Sequence, residues 1–442
     1  MGIRKYIVNT FLLVIFFSSV ISAQEEKTLT LDESLQIGLE NSNMLHSSKM
    51  KVNYADARLS EINTNMLPSL KFSAAYTRLS PITPFVLNTP FGDFNISPNI
   101  LDNYNLKLTL QQPIFTGFKL SSSSNIAEYN YKATEESYNK DKQDLIYNIK
   151  NAYWNLFKAK KVKEVTDQNV EQVKAHLMNV QNFYEQGLST KNDLLKVQVQ
   201  LSESELRQID AKNAVKLARI NLFNVIGIPL NTNSEIPDSV DIQTSLVNDL
   251  DSYIEKALVN RPELKAIQYN IKAGEAGVTL AESSWYPQIY LGGNYYYSKP
   301  NQRIFPAENK FKDTWDVGVS VQVDLWNWGS TTDKTDQAEA QLEEVKDSYK
   351  IVKDNIVLEV NSNYLNLEQS RDKIAVAEES VSQAKENYRV TDETFKKGLT
   401  LNSDLLDSEV ALLQSNTNYI QALVDYELAR ARLEKSIGGN FK

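Results

Sequence analysis

YEQGLSTKNDLL (residues 184–195) and FKKGLTLNSDLL (395–406) carry one pattern twice, 211 positions apart. Each has an aromatic ring, then Gly-Leu-hydroxyl, then Asp-Leu-Leu. Glycine is the residue that ends a helix most readily, because it tolerates a left-handed backbone. A hydroxyl just beyond it suits the start of a returning helix. The pattern therefore reads as the tip of a helical hairpin, and its recurrence asks whether the surrounding chain repeats too.

It does. LDESLQIGLENSNML (31–45) aligns with LDSYIEKALVNRPEL (250–264) at an offset of 219, and the same offset lays Pro68 on Pro287. From there the offset is 211, pairing Tyr153 with Tyr364, Gly187 with Gly398 and Gly227 with Gly438. The difference falls where LSPITPFVLNTPFGDFNISPN (79–99), a Pro- and Asn-rich loop, is longer than SKPNQRIFPAENKFKD (298–313). The organisation read from this is a first repeat at 24–230, a connector at 231–249, a second repeat at 250–439 and a short tail at 440–442. Residues 1–23 read as a secretory signal peptide: Arg4 and Lys5, then an apolar stretch at 11–17, then Ile21-Ser22-Ala23 as a cleavage site. Its removal would take the formal charge from −9 to −11.

Inside each repeat the apolar period changes. Ile374, Ala377, Val381, Ala384, Tyr388, Thr391 and Phe395 follow a 3-4 heptad spacing, as do Thr166, Val170, Val173, Leu177, Val180 and Tyr184. Such spacing places each set on one stripe of a coiled-coil helix. With scarcely a glycine or proline over about 118–186 and 329–397, each stretch predicts a rod of roughly 100 Å. Past each tip a second helix returns, with Leu405, Leu412, Tyr419, Tyr426 and Leu433 every seventh residue and small residues at Ser408, Ser415, Ala422 and Ala429. The first repeat answers with Leu194, Leu201, Gln208, Val215 and Leu222.

Between the helices the period is two. Strands are expected at about 69–79, 103–115, 288–298 and 314–326; the last alternates Trp315, Val317, Val319, Val321, Val323 and Leu325 with mostly polar residues. Their length suits a tilted membrane-spanning strand, and Tyr76, Tyr104, the run 295–297, Trp315, Trp326 and Trp328 sit toward strand ends, as aromatic girdles do. Four strands cannot close, since the smallest outer-membrane barrels use about 8, and an open edge in lipid leaves backbone groups unsatisfied. Further copies of the chain must complete the ring. Two copies would give eight strands and three would give twelve.

Composition excludes much else. Cysteine is absent, which removes disulfides, thiolate metal sites and thiol nucleophiles. His46 and His176 are the only histidines and read as ordinary surface or packing residues. An acidic chain lacks the basic face that nucleic acid needs. There is no phosphate-binding glycine loop and no Gly-x-Ser-x-Gly, so no enzyme and no cofactor is expected. The mean hydropathy of −0.40 rules out a bundle of membrane helices.

Taken together, the duplication, Pro68 and Pro287 before the strands, QQPIFTG (111–117) and the two tips resemble the outer-membrane efflux protein (TolC-like) family of Gram-negative bacteria. The resemblance implies a mainly α fold with transmembrane β. Its duplicated helical hairpins form a periplasmic α-barrel, and four strands per chain enter a shared 12-stranded barrel of a homotrimer in outer-membrane lipid. It implies an exit duct for a tripartite efflux or type I secretion system, working with a periplasmic adaptor and a proton-driven or ABC inner-membrane pump. By the same resemblance, Gly187-Leu188-Ser189 and Gly398-Leu399-Thr400 would meet adaptor tips. Asp404 and Asp407 would line the periplasmic aperture, and Asp193 would take part in an inter-hairpin link that holds it shut. Thr400 stands where some members place an arginine, so that link lacks its ion pair here. A structural coiled-coil envelope protein is the alternative, which the amphipathic strands oppose.

Overall fold

The computed structural model describes residues 27–83, 85–95, 99–232, 234–238 and 249–439. The expected signal peptide, the tail and most of the connector lie outside the described residues. The chain runs β1 (Lys27–Thr28), α1 (Leu31–Asn41), α2 (Asn43–Thr64), β2 (Ser69–Arg78), β3 (Val86–Thr89), β4 (Gly92–Asn95), β5 (Asp102–Phe115), α3 (Lys119–Glu185) and α4 (Lys191–Ile226). It continues through β6 (Ser234–Glu235), α5 (Leu250–Asn260), α6 (Pro262–Glu282), β7 (Gln288–Lys299), β8 (Lys312–Gln322), α7 (Ser330–Lys396) and α8 (Asn402–Ser436). The duplication persists in the lengths. Helices α3 and α7 have 67 residues each, and α4 and α8 have 36 and 35. At 1.5 Å per residue the longer pair are rods of about 100 Å.

The heptad stripes are where the helices pack. Val170, Val173 and Val180 of α3, and Ile374, Ala384 and Phe395 of α7, are buried. So are Leu405, Leu412, Tyr426 and Leu433 of α8, with Ser408, Ser415, Ala422 and Ala429 beside them. Gln208, the polar member of the α4 stripe, donates to Asp167 of α3 at 2.7 Å. A hydrogen bond there replaces an apolar contact. Buried residues gather in one cluster per repeat and a third at the tips, where Val173, Val180, Leu194, Val197, Phe395 and Leu405 join both hairpins.

Strands β2, β5, β7 and β8 form one antiparallel sheet in that order, the repeats meeting at β5–β7. The register segregates the faces. Phe72, Leu108, Tyr295 and Trp315 line up across the sheet on one side, and Ser73, Lys107, Tyr296 and Thr314 on the other. Leu70, Phe72, Trp315, Val317, Val319 and Val321 are all exposed, an apolar patch far beyond what a lone soluble sheet tolerates.

Two readings of the strands change. The fourth strand, expected at 314–326, occupies Lys312–Gln322, so Val323 and Leu325 lie outside it despite their alternation. Its partner β7 supplies the last pair, Gln288 with Gln322, and the residue before is Pro287, which has no N–H to extend the ladder. Trp326 and Trp328 therefore sit beyond the strand, exposed and edge to face at 5.7 Å. The long loop of the first repeat also holds structure of its own, the small hairpin β3–β4.

The turns from strand to long helix use two left-handed residues in series, Gly117-Phe118 and Trp328-Gly329. A Cβ at Gly117 would stand 2.6 Å from the Ser283 carbonyl oxygen, whereas one at Gly329 would meet nothing within 4 Å.

Candidate functional site: the paired hairpin tips

Each long helix ends in the same way. Gly187 (φ +75°) and Gly398 (φ +73°) adopt the left-handed conformation. The Leu188 N–H donates to the Phe183 carbonyl at 2.8 Å and the Gly187 N–H to Tyr184 at 3.0 Å. In the second tip Leu399 donates to Thr394 at 2.9 Å and Gly398 to Phe395 at 2.8 Å. This six-to-one and five-to-two pairing satisfies the last helical carbonyls. It leaves the next side chains pointing outward: Leu188 is 73% exposed and Leu399 75%.

The returning helices start differently. Helix α4 is capped by Thr190, whose hydroxyl accepts the Asp193 N–H at 3.1 Å while the Asp193 carboxylate accepts the Thr190 N–H at 3.2 Å. The Thr190 hydroxyl also donates to that carboxylate at 2.6 Å, and this bond, joined by the Thr190 N–H, holds the Asp193 carboxyl below the usual carboxylate range. Helix α8 starts on Leu401, with no side-chain cap. The capping hydroxyl expected at Ser189 or Thr400 thus falls one residue later, or not at all. The glycine turn needs two further residues before the chain can re-enter a helix.

Asp193 therefore spends its side chain on its own hairpin. What reaches the second hairpin is its carbonyl, which accepts from Asn402 Nδ2 at 3.5 Å. Asp404 and Asp407 share one exposed face of α8 and form no ion pair among the described residues. Asn402, Leu405, Ser408, Glu409 and Leu412 occupy the buried face.

One group at this site escaped the sequence reading. His176 of α3 is buried, not a surface residue. Its Nε2 lies 2.9 Å from Asn402 Oδ1 and its Nδ1 3.2 Å from Glu409 Oε1. The signal was present: His176 falls between Val173 and Val180, and Glu409 between Leu405 and Leu412, each on a packed stripe. His46, by contrast, is exposed. Among the described residues no group of His, Asp or Glu is arranged to hold a metal ion, and no helix is long and apolar enough to cross a membrane.

Comparison with known proteins accords with this geometry. The family model described as Outer membrane efflux protein matches twice, at residues 35–228 and 253–439, once per repeat. The alkaline protease secretion protein AprF of Pseudomonas aeruginosa is 24% identical over 377 residues, 83% of this chain and 76% of that one. The outer membrane protein TolC of Vibrio cholerae is 25% identical over 321 residues, covering 72% of each. Among solved structures, the outer membrane protein VceC of Vibrio cholerae superposes with a TM-score of 0.78 at 17% identity, over 93% of this chain and 97% of that one. That likeness concerns the fold. With both repeats matched in order, the chain belongs to the outer membrane efflux protein family.

Proposed function

We propose that this protein is the outer-membrane exit duct of a tripartite efflux or type I secretion system, working as a homotrimer. The observation that carries the reading is the four-stranded sheet, apolar on one exposed face and unpaired at β2 and β8, set on helical rods of about 100 Å. Lipid accepts no open edge, so three copies pair their edges into twelve strands, and their hairpins enclose a periplasmic tunnel. Leu188 and Leu399, apolar and unpacked at the six tips, are the contacts for a periplasmic adaptor. Asp404 and Asp407 form stacked carboxylate rings at the aperture, favouring cations over anions. The duct catalyses no reaction; an inner-membrane pump supplies the energy. Reconstitution of the purified protein into planar bilayers tests this reading: discrete conductance steps support it, and intact protein that inserts without conducting refutes it.

A further inference from the structure

We propose that His176, Glu409 and Asn402 form a proton-dependent latch that pins the two hairpins together behind the aperture; the inference rests on the duct reading above. The side chains of His176 and Glu409 are each 1% exposed. Both ring nitrogens face oxygens: Nδ1 faces Glu409 Oε1 at 3.2 Å, and Nε2 faces Asn402 Oδ1 at 2.9 Å. The Asn402 amide cannot simply be turned over, because its nitrogen donates to the Asp193 carbonyl and the flip would set oxygen against oxygen. Two acceptors around one imidazole require two N–H groups, and only the imidazolium has both.

The carboxylate makes the same demand. Neither Glu409 oxygen accepts a hydrogen bond among the described residues, the Nδ1 contact being at ion-pair distance without hydrogen-bond alignment. A buried carboxylate so placed needs a counter-charge, and His176 is the one cation within ion-pair reach. The remaining groups around it supply none. From α7, Phe395 sets its ring edge to face with the imidazole at 5.1 Å. The Tyr388 phenol, also of α7, is pushed up to about 12 by burial and by the charges of Asp392 and Glu409, and Asp392 is paired with Lys396 at 2.6 Å. Helix α4 contributes only the Asp193 carbonyl, its carboxylate being held by Thr190.

Loss of the proton leaves a ring lone pair against an oxygen and Glu409 without a partner. The hairpins then part, and α8 carries Asp404 and Asp407 with it. A one-proton difference between pinned and parted states shifts their ratio by up to roughly tenfold per pH unit. His176 and Glu409 are positioning residues for the aperture.

With only two histidines in the chain, ring ¹⁵N labelling of the full protein reads this directly. At neutral pH the wild type should show an imidazolium signal that His176→Gln removes and Glu409→Gln converts to neutral imidazole. In planar bilayers, open probability of the wild type should rise several-fold from about pH 6 to 8, whereas Glu409→Gln should lose that slope while keeping Asp404 and Asp407. A neutral His176 ring in the wild type, or an unchanged slope in Glu409→Gln, overturns the latch. Wild-type protein silent at every pH overturns the duct reading instead, and the ring signal still decides the latch.

Discussion

Replacing both tip leucines by alanine should weaken adaptor binding without loosening the hairpins. Full burial of a leucine side chain contributes about 1.5–3 kcal/mol. About three quarters of Leu188 and Leu399 remains in water, so a docked adaptor gains ~1–2 kcal/mol at each. A partner that uses both tips of one chain would lose ~2–4 kcal/mol, roughly 30- to 1,000-fold in affinity. The fold should hardly notice. Neither side chain belongs to the buried tip cluster, and exposed substitutions of this kind stay within about 0.5 kcal/mol. The Gly187 and Gly398 turns are closed by backbone bonds that alanine at 188 and 399 leaves in place. Biolayer interferometry of the adaptor against the detergent-purified assembly, run beside a thermal melt, measures both quantities. Affinity within threefold of wild type, at unchanged melting temperature, would refute the assignment of these leucines to the interface.

Asp404→Asn with Asp407→Asn should reduce block by multivalent cations in planar bilayers, and unchanged block would remove the carboxylates from the aperture. Thr190→Val should cost about 1 kcal/mol of local stability at the start of α4, read as faster amide exchange over 191–195. The sign with pH follows from the lowered Asp193 carboxyl: its contribution is complete above the unfolded value of about 3.9 and is lost as pH falls through the folded one. The wild type should therefore lose tip protection in acid by a step that Thr190→Val lacks; equal acid profiles would contradict the capping box. Gly117→Ala should lower the melting temperature more than Gly329→Ala. Both need a left-handed alanine, about 1–2 kcal/mol, but only at 117 does the methyl also strike a backbone oxygen and a Cβ, adding ~1–3 kcal/mol. Equal losses would show that the close approach relaxes freely.

The long helices were legible because a heptad stripe and the lack of breakers are local signals; Ile374, Ala384 and Phe395 are buried where the spacing places them. Strand faces were legible for the same reason. Strand ends were not, because Val323 and Leu325 alternate well yet have no partner once β7 stops at Gln288. The β3–β4 hairpin was hidden by its four-residue strands, too short for a period to register. The tip glycines announced their turns, while the cap position depended on turn geometry that places Thr190, and not Ser189, at the helix start. His176 and Glu409 were the largest omission. Each is a polar residue on a packed stripe, and only the packing of α3 on α8 reveals that one answers the other.

The central claim is that the exposed sheet is one third of a closed barrel. Native mass spectrometry of the protein extracted from membranes in detergent tests it most directly. The account predicts a single assembly of three chains that stays soluble only with detergent present. A monomer stable in plain buffer would contradict it.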